Sequence, residues 1–71
     1  MSHYAVIIEK GEQGFGAYVP DLPGCVATAA TREEVTRLIG EAIELHIEDL
    51  RRRGEPVPRP KSSATRVEVG R

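Results

Sequence analysis

No stretch of this chain limits its fold as tightly as residues 14 to 34, GFGAYVPDLPGCVATAATREE. Phe15, Ala17 and Val19 alternate with Gly16 and Tyr18, the two-residue period of a half-buried strand. Pro20-Asp21-Leu22-Pro23-Gly24 must then turn the chain. Pro23 presets its φ and Gly24 can take a positive one, the pairing that a type II corner requires. Leu22 is the expected apolar anchor of that corner. Small and β-branched residues resume from Cys25 to Ala30 as a third strand, and their size invites close approach by the element that follows.

That element is a helix. Thr31 and Glu34 have the spacing of a capping box, and Glu33 and Glu34 sit where the helix dipole favours acids. Arg51, Arg52 and Arg53 suit the last turn, Gly54 suits a left-handed terminal residue, and Pro56 bars continuation. The signals predict a helix over 32–53. At 100° per residue, Val35, Leu38, Ile39, Ala42, Ile43, His46 and Leu50 share one face, with Leu45 and Ile47 on opposite flanks. So wide an apolar arc suits either the chain's own sheet or a partner helix or subunit.

Upstream, Tyr4, Val6 and Ile8 alternate with Ala5, Ile7 and Glu9. The presence of Ile7 on the second face marks this strand as the expected centre of the sheet. Lys10-Gly11-Glu12-Gln13-Gly14 has hairpin length, so strands one and two are expected to be antiparallel neighbours. Downstream, Glu55 to Ser63 forms a Pro-rich linker. Thr65-Arg66-Val67-Glu68-Val69 alternates again as a short strand over 65–69 with its valines inward. That strand could complete its own sheet or reach a neighbouring subunit. The predicted architecture is a single α+β domain over residues 1–71: a two-layer β-β-β-α-β arrangement, an antiparallel sheet with one long helix on one face.

At 71 residues the chain has room for one modest core, and a lone domain of this size is marginal without help. Cys25 is the single cysteine, which excludes an internal disulfide, so a homodimer or higher assembly is expected. No signal-peptide pattern opens the chain and no apolar run nears a membrane span, which places the protein in the cytoplasm as an expectation. Charge is unevenly divided. Residues 1–50 carry three basic side chains against nine acidic ones, net −6, and residues 51–71 carry seven against two, net +5. An acidic body repels nucleic acid and attracts basic proteins.

The Tyr4-Ala5-Val6-Ile7-Ile8 strand, Gly14-Phe15, the run from Ala17 through the corner to Cys25, and Thr31 with Glu33-Glu34 together resemble the HicB family of antitoxins. The likeness continues through Ala42-Ile43-Glu44-Leu45-His46-Ile47 and Gly54-Glu55-Pro56-Val57-Pro58, covering residues 4–60. The resemblance implies a partial RNase H-like, double-stranded-RNA-binding-like fold. It also implies a small basic partner, a HicA-type ribonuclease toxin whose active surface the domain covers. Members of that family generally continue into a DNA-binding domain. This sequence ends at Arg71, so no operator DNA binding is expected of it.

The expected toxin-facing residues are Asp21 in the corner and Glu34, Glu41, Glu44 and Glu48 on the exposed helix side. A possible phosphate-binding patch comprises Arg51, Arg52, Arg53 and Arg59, flanked by Lys61 and Arg66. Its plainer role is matching the helix dipole ahead of a solvated tail. Cys25 and His46 suggest a nucleophile and base, but no oxyanion-forming or orienting neighbours flank them in sequence, and structural roles are expected. Nuclease chemistry needs carboxylates gathered around a divalent ion, and the sheet offers only Glu9, Asp21 and Glu68 at its ends. No catalytic residue, metal or cofactor is assigned. The leading expectation is a non-catalytic antitoxin; the alternatives are a self-assembling domain without a toxin, or a weak RNA binder working through the basic C-terminal segment.

Overall fold

The computed structural model describes residues 3–70. Three strands, β1 (Ile7–Lys10), β2 (Phe15–Tyr18) and β3 (Val26–Ala29), precede one helix, α1 (Arg32–Arg52). The sheet is antiparallel throughout with order β1-β2-β3. The centre is therefore β2, not the first strand as its two-sided apolar pattern implied. Register explains that pattern: Ile7, Tyr18 and Val26 form one cross-strand row, and Ile8, Ala17 and Ala27 the next. Alternate rows point to opposite faces. Ile8, Ala17 and Ala27 pack in or against the core. Tyr18 and Val26, by contrast, remain 41% and 63% exposed. Ile7 marks a half-open apolar face of an edge strand, not a buried centre.

Two hinge points hold the sheet in place. In the hairpin loop, Gly11 N–H donates to Gly14 O at 2.7 Å. A Cβ on Gly14 would stand 2.5 Å from the Ala29 carbonyl oxygen, so only glycine lets the loop pass that close to β3. The corner consists of two successive turns, Leu22 N–H to Val19 O at 3.1 Å and Cys25 N–H to Leu22 O at 3.0 Å. The second carries Gly24 at φ 86°, as a type II turn after Pro23 requires. Leu22, shared by both turns, is fully buried. Burial of such a side chain contributes roughly 1.5–3 kcal/mol, which anchors the corner to the body as its sequence suggests.

The helix begins and ends where its caps dictate. Thr31 is extended, and its Oγ1 accepts the Glu34 N–H at 3.1 Å. Among the described residues the return bond from the Glu34 carboxylate is not made, so that group stays available at the surface. At the far end Glu55 N–H reaches Leu50 O at 2.9 Å and Gly54 N–H reaches Arg51 O at 3.1 Å, the paired bonds of a Schellman stop. The helix lies over β3 and, less extensively, β2, close to the small side chains of Ala27 and Ala29. Val35 and Ile39 join Ala17, Val19, Leu22 and Cys25 in the core, with Tyr4, Val6, Ile8, Phe15, Ala42, Ile43 and Ile47 packed around them. No described helix is long and apolar enough to cross a membrane.

The α+β two-layer architecture holds, but the expected strand over 65–69 joins no sheet, and the described chain reads β-β-β-α. Val67 and Val69, expected to point inward, are 75% and 68% exposed. The linker explains why. Pro58 O accepts a hydrogen bond from the Tyr4 hydroxyl. Asp21 then takes the N–H groups of Lys61 and Ser62. The chain is thus led across the end of the sheet to the corner and released there. Residues 61–70 are all exposed. Accordingly the radius of gyration is 13.7 Å, against about 11 Å for a compact chain of this length.

Candidate functional site

One face of α1 buries Val35, Ile39 and Leu50. Glu34, Glu41, Glu44 and Glu48 fall within an arc of about 80° on the opposite side, and all four are exposed. The structure brings these four predicted residues onto one ridge. Intrahelical pairing partly occupies it: Arg37 Nη1 lies 2.9 Å from Glu41 Oε2, and Arg52 Nη2 lies 3.9 Å from Glu48 Oε1. Both pairs are well exposed, and pairs of this kind contribute about 0–1 kcal/mol, so an incoming cation can displace them. Glu34 and Glu44 make no ion pair among the described residues.

Leu45 borders this ridge, four residues after Glu41 and three before Glu48 and about 20° beyond Glu34 around the helix axis. It is 66% exposed. Sequence reasoning placed it on a flank of the apolar arc and assigned it no role. The available signal was an apolar residue at helical spacing from Glu41 and Glu48, bordering a row of carboxylates.

Asp21 does not join the ridge. Its Oδ2 accepts the N–H groups of Lys61 and Ser62, each at 2.8 Å, and its Oδ1 accepts the Ser62 hydroxyl at 2.8 Å. These bonds, led by the Ser62 N–H, hold its carboxyl below the ordinary carboxylate pKa. The residue is engaged in fastening the C-terminal segment to the corner.

The arginines divide likewise. Arg53 Nη2 lies 2.9 Å from Asp49 Oδ2, and the same guanidinium also bonds Glu55. Arg52 reaches Glu48 and Asp49. Two of the four candidate phosphate ligands are therefore directed at the chain's own carboxylates. Arg51 borders a groove of about 610 Å³ beside Tyr4, Ile43, Ile47 and Val57. Arg59 lies exposed in the linker.

Cys25 is buried, and burial pushes its thiol pKa up, away from the thiolate that attacks substrates. His46 is half-buried on α1. Asp49, three residues further along the helix, has its carboxylate bonded to Arg53. Among the described residues no three His, Cys, Asp or Glu side chains are gathered as a metal site would need.

These features define a class: a small α+β module with an exposed acidic helix ridge bordered by a leucine. A family model described as the HicB-like antitoxin of bacterial toxin-antitoxin systems matches residues 4–69, and the chain belongs to that family. It is 40% identical over 65 residues to a UPF0150 protein of Thermoplasma acidophilum, covering 90% of this chain and 94% of that one. A UPF0150 protein of Helicobacter pylori is 52% identical over 44 residues, which are 62% of this chain and 61% of the relative. Among solved structures, a chain of a HicA3 and HicB3 toxin-antitoxin complex superposes with a TM-score of 0.72 at 37% identity, covering 83% of this chain and 70% of that chain. The protein is a HicB-like antitoxin domain of a toxin-antitoxin system.

Proposed function

We propose that the domain neutralises a small basic HicA-type ribonuclease toxin by laying the α1 ridge over the toxin's active surface. The observation that carries this reading is the grouping of exposed Glu34, Glu41, Glu44 and Glu48 on the face of α1 opposite the core, with exposed Leu45 at their border. A basic partner would be steered by the carboxylates and held at Leu45, a division of labour common to protein interfaces. The role is cover and not turnover, carried out in the cytoplasm where such a toxin meets its RNA. Asp21 acts indirectly, by fixing the corner and the linker. The domain also self-associates, since 71 residues bury only a modest core. Contact with operator DNA has no part in this reading.

The test is toxin inhibition by the intact chain and by a Glu41→Lys/Glu48→Lys variant. The native chain is expected to suppress RNA cleavage by its cognate toxin. The variant should need about tenfold more protein or greater for the same suppression. Equal inhibition by both would overturn the assignment of the ridge. Direct RNA binding by the native chain, weakening steeply with salt, would favour the basic segment instead.

A further inference from the structure

The helix lies over β3 and β2, which leaves β1 at the rim of its cover. β1 has a hydrogen-bonded neighbour on one side only, and its outer edge presents unpaired backbone groups. Between the second half of α1 and the segment entering β1 runs a groove of about 610 Å³ lined by Tyr4, Ile43, Ile47 and Val57 together with Glu44, Glu48 and Arg51. An open edge strand with a partly apolar groove at its shoulder has room for one further strand, whose apolar side chains would meet Ile43 and Ile47.

The chain carries a segment of that description that its own sheet does not use. Thr65-Arg66-Val67-Glu68-Val69 alternates apolar and charged residues, and Val67 and Val69 are the most exposed large hydrophobics among the described residues. Its own linker leads this segment, through the Tyr4–Pro58 and Asp21–Ser62 hydrogen bonds, to the corner, beyond which it is exposed. Beyond the Ser62 anchor, Ser63 and Ala64 tether the segment over about 7 Å and residues 65–69 themselves extend about 17 Å, so the segment can meet a copy seated close to the corner.

We infer that two copies exchange these segments: residues 65–69 of each add to the outer edge of β1 in the other, setting Val67 and Val69 against Ile43 and Ile47. The exchange pairs the open edge, fills the groove and covers the two valines in one step. It is reciprocal, so it closes as a twofold dimer. It needs no toxin.

Light scattering on the purified full chain, without toxin, is expected to give twice the chain mass. Val67→Asp/Val69→Asp should weaken self-association about a hundredfold, since each valine loses its burial. In a mixture of isotope-labelled and unlabelled native chains, contacts between the Val67 and Val69 methyls and those of Ile43 and Ile47 should run between molecules. A monomeric native chain would overturn the inference, as would unchanged association of the double variant. Methyl contacts confined to one molecule would do the same.

Discussion

Asp21 and Ser62, separated by 41 positions, are joined twice: Oδ2 accepts the Ser62 N–H and Oδ1 its hydroxyl, each at 2.8 Å. With the Lys61 N–H also on Oδ2, one carboxylate fixes the path of the C-terminal segment. Asp21→Ala should release it. Amide exchange at Lys61 and Ser62 is expected to speed up about tenfold or more, while core amides on α1 stay protected. Unchanged exchange at those two residues would contradict the fastening role.

The same carboxylate makes the fastening pH-dependent. Its pKa in the folded chain lies below the ordinary 3.8, because hydrogen bonds from Ser62 and Lys61 favour the ionised form. A depressed value contributes stability that is complete above the ordinary pKa and is lost as the pH falls through the folded-state value. The Lys61 and Ser62 amide resonances should therefore hold steady near neutrality and move together only in strong acid. A midpoint above 3.8 would show the assignment to be wrong.

Gly14→Ala brings a methyl to 2.5 Å from the Ala29 carbonyl oxygen, at a φ of 153° that L-residues rarely adopt. Since the obstacle is backbone, β3 or the hairpin loop must move. A loss of about 1–3 kcal/mol is expected, which lowers the melting temperature by at least about 4 °C in a domain of this size. A thermal melt checks this directly.

Leu22→Ala removes a fully buried side chain from the corner and from the core beside Val35. The cost should be about 2–5 kcal/mol. That is a large part of the stability available to so short a chain, and denaturant unfolding should show a clear fall in midpoint.

Leu45→Ala separates folding from recognition. At 66% exposure the side chain contributes little to the core, so stability should change by no more than about 0.5 kcal/mol. Toxin binding, measured by calorimetry, should weaken by about 2 kcal/mol if Leu45 is the apolar centre of the contact.

Local chemistry made much of this fold legible. Thr31 and Gly54 delimit α1 through bonds to residues at most a few positions away, and Pro23-Gly24 fixes the corner in the same local manner. Leu22 was identifiable as an anchor because an apolar residue in a polar turn needs a destination. Sheet order was not legible, because Ile7 on a second face is equally consistent with a covered central strand and with an edge strand that shares an apolar row with Tyr18 and Val26. Alternation in Thr65–Val69 likewise expresses a strand preference without specifying an edge. The attachment of Asp21 to residues some 40 positions onward leaves no local pattern at all. The ridge and Leu45 at its border could both be drawn from helical spacing; that Leu45 is 66% exposed could not.

Glu44 and Glu48 line the groove beside Tyr4 and also belong to the carboxylate ridge. A single helical rod thus serves as a party wall. Whatever settles into the trough on one side alters the electrostatic surroundings of two groups that a visitor on the other side would grip. If a toxin grips the ridge and a second copy fills the trough, as proposed, the two events are linked, and by thermodynamic reciprocity each changes the strength of the other by the same factor.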